Sequence, residues 1–120
     1  MKKYILGTKQ IMTQLFTDEG VCVPVTIVAA APCVVTQVKT LKTDGYNAVQ
    51  IGYGKRKISR LTKAEIGQRK KLGDFSKLKE FRVTDVANYK IGDQLTVKQF
   101  TAGDKVKISG ISKGKGFQGV

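Results

Sequence analysis

The side chains best suited to chemistry in this sequence are the lysines and arginines gathered in its middle. Between residues 55 and 71 the chain carries eight cations and a single carboxylate, Glu65. Ammonium and guanidinium groups at this density bind phosphate, the first as point charges and the second through paired hydrogen bonds. Apolar positions such as Ile58 and Leu61 separate the cations, so the segment can fold as well as present its charge. The cations are Lys55, Arg56, Lys57, Arg60, Lys63, Arg69, Lys70 and Lys71.

A second group of candidate phosphate ligands lies in the glycine-rich stretch 112–119. Residues 114–119 formally match G-x-G-x-x-G, but a dinucleotide-binding turn opens a helix and precedes an acidic residue by about 20 positions, and neither signal is present. Glycine has no Cβ to obstruct the approach of backbone to phosphate, and Lys113 and Lys115 supply charge. The stretch therefore predicts phosphate binding, with a flexible tail as the alternative.

Other kinds of reactive site are poorly represented. Histidine is absent, which removes the commonest general base near neutral pH and the commonest zinc ligand. Cys22 and Cys33 form no Cys-x-x-Cys pair, so they predict two reduced, partly buried thiols. The carboxylates lie in turn-like contexts that explain them without catalysis, so we predict no enzymatic activity, no metal and no cofactor. These carboxylates are Asp18, Glu19, Asp44, Asp93 and Asp104.

The chain as a whole is strongly basic. Its 120 residues include 22 Lys+Arg and 9 Asp+Glu, for a formal net charge of +13. Residues 39–82 carry +9 of that excess, against +1 for residues 1–38 and +3 for residues 83–120. A run of charge can be no more than a solvated surface, but few acidic residues balance this one. We therefore expect a polyanionic partner, and nucleic acid is the first candidate.

Hydrophobic stretches are short throughout the sequence. The longest apolar run, residues 27–31, ends at Pro32 and falls well below the roughly 20 residues of a membrane span. The apolar patch Tyr4–Leu6 is too short for the core of a signal peptide. We expect a cytoplasmic protein without a membrane or a small-molecule substrate among its partners. The length suits one domain of roughly 100 to 150 residues.

Strand signals dominate the first fifty residues. Strand-forming runs at residues 8–16 and 21–30 flank the turn-forming sequence 17–20, which predicts a hairpin. In the second run Val21, Val23, Val25 and Ile27 share one face by period two. Pro24 cannot donate to a strand ladder, so the second strand should lie at an edge or be bulged there. Residues 33–41 predict a third strand, residues 42–45 a turn and residues 46–53 a fourth strand. Evenly spaced strands joined by short turns indicate a meander that curls into a barrel or sandwich.

The remainder of the chain predicts one helix and further strands. Thr62 and Glu65 match a capping box, which predicts a short helix over residues 62–72 that ends at Gly73. Residues 81–83 predict a strand. The Gly-Asp pairs at 92–93 and 103–104 each predict a turn that opens a strand. Those strands would carry alternating apolar residues, Leu95 and Val97 in one, Val106 and Ile108 in the other.

One longer motif, near the end of the chain, resembles that of a known protein family. The sequence Gly110–Val120, with Phe100–Ser109 before it, resembles the central motif of the universal large-subunit ribosomal protein family L-three in its bacterial form. The resemblance covers all 120 residues, although Ile11 replaces a usual Gly and Gln68 a frequent His. Shorter matches are Met12–Thr13, Pro24–Thr26, Val35–Lys39, Asp44–Tyr46, Thr62–Lys63, Lys70–Lys71 and Glu80–Arg82.

The resemblance implies both a fold and a function. The family fold is an antiparallel β-barrel of the translation-protein type, interrupted by a long extension. Residues 1–120 would then be one mainly β domain, an incomplete barrel with one short helix, and the extension would begin near residues 111–120. The implied function is structural: binding of large-subunit ribosomal RNA beside neighbouring ribosomal proteins, early assembly and, through the extension, support of the peptidyl-transferase region.

The residues expected to bind RNA combine the two basic segments with two isolated cations. The alternative is a free-standing RNA-binding β-barrel module acting in translation, which would display aromatic side chains on a stacking surface. Most of the nine aromatic residues occupy strand or core positions, which disfavours that alternative. The expected RNA-binding residues are Lys9, Lys55, Arg56, Lys57, Arg60, Lys63, Arg69, Lys70, Lys71, Arg82, Lys113, Gly114, Lys115, Gly116, Phe117 and Gly119.

Overall fold

The computed structural model describes residues 3–69 and 72–120, and within these ranges the fold is mainly β. The strands are β1 (Thr8–Phe16), β2 (Cys22–Ala29), β3 (Cys33–Lys39), β4 (Ala48–Tyr53), β5 (Lys77–Arg82) and β6 (Gln94–Leu95). Strands β1 and β2 form an antiparallel hairpin, and the other four form an antiparallel sheet in the order β5-β4-β3-β6. The two sheets do not close, which confirms the predicted incomplete antiparallel barrel.

The β1–β2 hairpin follows the local sequence signals closely. In its turn the amide of Thr17 donates to the carbonyl of Val21 at 2.9 Å, and Gly20 takes a left-handed φ of +83°. Pro24 pairs with Gln14 in a sheet of two strands, so it occupies an edge, as predicted. The register shift lies instead between residues 9 and 11, and the alternative of a bulge at Pro24 is therefore wrong.

The core lies on one face of the four-stranded sheet. Cys33, Val35, Val49 and Ile51 are buried there on the two central strands. They share this face because side chains alternate along each strand and Val35 lies directly opposite Ile51. Partly buried side chains from the N-terminal segment and from β5 and β6 complete the cluster, among them Ile5, Leu6, Phe81 and Leu95.

The N-terminal segment, residues 3–6, is held by residues far along the chain. The ring of Tyr4 stacks on Phe81 with centroids 4.6 Å apart, and its hydroxyl donates to the carbonyl of Arg82 at 3.1 Å. The side-chain amide of Gln99 donates to the carbonyl of Tyr4 at 3.0 Å. These contacts join the first residues to the sheet and to the segment that follows β6.

The opposite face of β4 is covered by the connection to β5. A Cβ at Gly52 would lie 2.5 Å from the ring of Phe75, so only glycine lets that ring pack against the strand. Phe75 is buried, as is Leu61 from the same connection. The described residues between 55 and 76 therefore fold back onto the sheet instead of forming a free loop.

The connection between β4 and β5 contains the helix that the capping box predicts. This helix, α2 (Lys63–Arg69), begins after Thr62, whose hydroxyl accepts from the amide of Glu65 at 3.3 Å. The Glu65 carboxylate accepts in return from the amide of Thr62 at 3.0 Å. The predicted continuation through residues 70 and 71 lies outside the described residues. The helices are α1 (Leu41–Asp44) and α2 (Lys63–Arg69), with 3₁₀ turns at Ile58–Arg60 and Val97–Gln99.

Replacing Thr62 with Ala tests this capping box. We expect Thr62→Ala to lower the free energy of unfolding by about 1 kcal/mol, because the amide of Glu65 loses its acceptor at the helix start. Urea denaturation followed by circular dichroism measures the change. Lys63→Ala, at the next position, which is also exposed, is the control and should cost less. Equal losses in the two variants would contradict a specific capping role.

The third strand is shorter than predicted. It ends at Lys39 and not at Leu41, because Thr40 caps the helical turn α1 by accepting from the amide of Thr43 at 3.4 Å. The turn closes at Gly45, which takes a left-handed φ of +80°. A short helix therefore replaces the reverse turn expected over residues 42–45.

Beyond β5 the predicted turns form, but most of the predicted strand structure does not. Asp93 accepts from the amide of Lys90, and Asp104 from the amide of Thr101, each at 2.9 Å. After the first turn only residues 94–95 pair, with Cys33 and Val34, and a 3₁₀ turn follows at once. The strand predicted for residues 105–109 is wrong, because no described strand lies beside it to accept its hydrogen bonds; residues 105–120 are exposed and irregular.

Candidate nucleic-acid interface

The candidate interface is built on residues 55–63, which we call the basic loop. It leaves the end of β4, passes through the 3₁₀ turn and enters α2. Its backbone is fixed at both ends: the amide of Arg56 donates to the carbonyl of Asp74 at 2.8 Å, and Leu61 is buried. Its cationic side chains are all exposed. They are Lys55, Arg56, Lys57, Arg60 and Lys63.

Carboxylates neutralise none of the basic-loop cations within ion-pair distance. In residues 3–69 and 72–120 the ion pairs join Lys3 to Asp104, at 3.8 Å, and Lys39 to Glu80. The nearby carboxyl of Glu65 has a lowered pKa, first because the amide of Thr62 donates to it and then because Arg69 and Arg56 attract it. Its main contact is with the helix start, so the field of the basic loop remains positive and attracts phosphate.

Arg69 differs from the cations of the basic loop. Its side chain is only 7% exposed, and its guanidinium donates to the carbonyl of Phe75 at 2.7 Å. Arg69 therefore fastens the residue that covers the outer face of β4, and its expected binding of RNA stays a prediction. Lys70 and Lys71, which the sequence predicts beside it, lie outside the described residues.

The remaining expected RNA ligands lie on other elements. Lys9 is exposed on β1 next to the register shift, and Arg82 is exposed at the end of β5. In the C-terminal stretch Phe117 is fully exposed, and Gly116 has a left-handed φ of +70°. Five of the expected ligands therefore lie together on the basic loop, and the others in this group lie on β1, on β5 and in the C-terminal stretch. The remaining members of the C-terminal stretch, all exposed, are Lys113, Gly114, Lys115 and Gly119.

A polar network that the sequence does not predict joins Lys39 of β3 and Glu80 of β5 to Tyr46, which lies two residues before β4. The hydroxyl of Tyr46 donates to Glu80 at 2.8 Å, and the ammonium of Lys39 donates to the same hydroxyl at 3.1 Å. Lys39 and Glu80 are also paired, which raises the pKa of Lys39 and lowers that of Glu80. Tyr46 and Glu80 are 34 positions apart, so no local pattern marks the network.

Other kinds of site find little support in the described part of the chain. Residues 3–69 and 72–120 contain no group of three or more histidine, cysteine or acidic side chains placed to hold a metal ion. None of the helices in these ranges has the length and apolar character of a membrane span. Cys22 is exposed, Cys33 is buried, and both thiols are free.

A group of cations that is anchored on a mainly β scaffold, without carboxylate partners in the described part of the chain, is a surface that attracts polyanions.

No protein-family profile matches the chain. Its sequence is similar to large ribosomal subunit protein uL3 of Dehalococcoides mccartyi strain CBDB1, with 52% identity over 116 residues that cover 97% of this chain and 56% of the relative. The uL3 of Pelobacter propionicus is 50% identical over 122 residues, covering 100% and 58%.

The similarity to uL3 covers the whole chain at about 50% identity, which is consistent with the N-terminal half of the family that the resemblance predicts. The uL3 of Geobacter metallireducens gives the same result, at 48% identity over 122 residues and 58% of the relative. The chain spans somewhat more than half the length of the curated relatives that it matches. The name they share is that of a ribosomal protein and not of an enzyme, which agrees with the non-enzymatic function predicted from the sequence.

Proposed function

We propose that the chain is part of a structural protein of the large ribosomal subunit and binds large-subunit ribosomal RNA through its basic loop. The observation that supports this most directly is the set of five exposed cations, held on a fixed backbone, without a carboxylate partner among the described residues. Its place is the cytoplasmic ribosome, beside neighbouring large-subunit proteins. Its roles are to support early assembly and, through the extension implied by the family, the peptidyl-transferase region.

The basic loop binds chiefly phosphate groups. Because Leu61 and the Arg56–Asp74 hydrogen bond fix the backbone, RNA binding orders side chains only and loses less conformational entropy than the folding of a free loop would. Arg56 and Arg60 can each bind phosphate oxygens in pairs, whereas the lysines act as point charges. Such contacts position the RNA and carry little sequence information.

The C-terminal stretch 113–120 binds the same RNA and begins the extension that leaves the barrel domain. Ordering its backbone costs roughly 1 to 2 kcal/mol per residue, and its only large apolar side chains, Phe117 and Val120, are fully exposed. Contacts within the described chain do not offset that cost. We propose that ribosomal RNA does so, with Lys113 and Lys115 near phosphates and the glycines allowing close backbone approach.

Sedimentation of native particles tests the proposed function. A tagged copy of the chain, expressed in the cells from which it derives, should sediment with the large ribosomal subunit in a sucrose gradient. Sedimentation with the small subunit, or with no RNA, would reject the proposal. Recovery at the top of the gradient with bound RNA would favour a free-standing RNA-binding module. In coordinates of the particle, the ammonium groups of Lys113 and Lys115 should lie near phosphate oxygens.

A further inference from the structure

Arg82 and Tyr46 form an aromatic contact on the sheet face opposite the core. Ala48 pairs with Lys39 on one side and with Arg82 on the other, which sets three strands side by side at this point. Tyr46 precedes Ala48 by two residues, and the guanidinium carbon of Arg82 lies 5.3 Å from the centre of its ring. This is the range of a cation–π contact.

The ring of Tyr46 is held in place by its hydroxyl. That hydroxyl donates to Glu80 at 2.8 Å and accepts from Lys39 at 3.1 Å. The ammonium of Lys39 is 5.5 Å from the ring centre, so it lies at the hydroxyl edge of the ring and not above a face. Two strands thus fix the orientation of the ring that supports Arg82.

Charge is distributed unevenly within this group. Glu80 is paired with Lys39, and in the described part of the chain Arg82 has no carboxylate within ion-pair distance. Arg82 is also exposed. It is therefore an unneutralised, planar cation supported by an immobilised aromatic ring and open to solvent elsewhere.

We propose that Arg82, supported by Tyr46, is a stacking platform for an unpaired nucleobase of the bound RNA. This rests on the proposed RNA-binding function and adds a second mode of contact to the phosphate binding of the basic loop. The planar guanidinium stacks on bases that are splayed out of loops, bulges and strand ends. A guanidinium already resting on an aromatic ring loses little side-chain entropy when it does so.

The support beneath Arg82 favours a base over a phosphate as its ligand. Its guanidinium lies over the ring of Tyr46, and the side chain is otherwise exposed. A planar cation held in this way can stack on a base. In the described part of the chain none of the basic-loop cations lies over an aromatic ring, so these cations take the phosphates.

Paired RNA probes separate stacking from charge. The probes are a short oligoadenylate and an abasic oligoribonucleotide of the same length, which carry equal numbers of phosphates. The 120-residue chain should bind the oligoadenylate about tenfold more tightly, since stacking on one base contributes on this order. Arg82→Lys should bring that ratio close to one and leave the salt dependence of binding unchanged, because the positive charge is kept. Circular dichroism confirms that the variant folds.

A matched arginine in the basic loop provides the control. Arg56→Lys should retain the preference for oligoadenylate, because Arg56 is proposed to bind phosphate. If Arg82→Lys keeps the original ratio, or weakens binding of both probes equally, Arg82 is not a stacking platform and the inference is overturned. If the unaltered chain binds neither probe at low salt, the proposed RNA binding itself fails. That result is distinguishable from a loss of the preference for oligoadenylate in Arg82→Lys alone.

Discussion

Replacing Lys55, Arg56 and Lys57 together with Ala should weaken binding to an RNA duplex by roughly a hundredfold at about 0.1 M salt. All three side chains are exposed and lack carboxylate partners in the described part of the chain, so each is free to displace counterions from phosphate. The slope of log K against log salt should fall by about 2 to 3, close to 0.9 for each contact removed. Fluorescence anisotropy at several salt concentrations measures both quantities.

A variant with the same loss of net charge is the control for this experiment. Lys42, Lys90 and Lys98 are exposed and lie outside the basic loop. Their joint replacement with Ala lowers the charge of the chain equally but should change the salt slope much less. If both triple variants lose the same affinity, binding depends on overall charge and not on the basic loop.

Ile51→Ala should lower the free energy of unfolding by about 2 to 5 kcal/mol. Ile51 is completely buried on the central strand β4, directly opposite Val35, and the core around it contains few other fully buried residues. Strand β4 is hydrogen-bonded to β3 on one side and to β5 on the other, so its backbone cannot move to fill the cavity left by the shorter side chain. A loss of this size approaches the whole stability of a marginal domain. Urea denaturation followed by circular dichroism measures it.

Ile58 supplies the comparison for the core substitution. It lies in the 3₁₀ turn of the basic loop and is 63% exposed. Ile58→Ala removes the same atoms from a site where they bury little area, so it should change stability by no more than about 0.5 kcal/mol. Similar losses at the two positions would show that the packing around Ile51 does not stabilise this fold.

The sequence predicts those elements whose causes are local. The β1–β2 hairpin depends on alternation and on one glycine that adopts a left-handed φ in the turn. The start of α2 depends on two side chains three positions apart, Thr62 and Glu65. The turns at Asp93 and Asp104 depend on hydrogen bonds that span three residues. Each is decided within a few positions, so its pattern can be read directly from the sequence.

The sequence does not predict features that require a distant partner. Apolar alternation at Val106 and Ile108 indicates a strand, but a strand forms only where another lies beside it, and none of the described strands does. The basic character of Arg69 indicates an exposed cation, yet Phe75 reaches across to Gly52 and brings its carbonyl to the guanidinium. The network of Tyr46 and Glu80 depends on strand order in the same way.

The order in which the residues are synthesised limits when the N-terminal segment can form its contacts. Tyr4 is fixed by Phe81, Arg82 and Gln99, and Lys3 pairs with Asp104. At about 5 to 20 residues per second, the first residues are synthesised roughly 4 to 20 s before those partners. Elements with contacts near in sequence, such as the β1–β2 hairpin and the helices α1 and α2, can form in that interval. Closure of the amino terminus is therefore a late event, and it can be complete only after residue 104 has been synthesised.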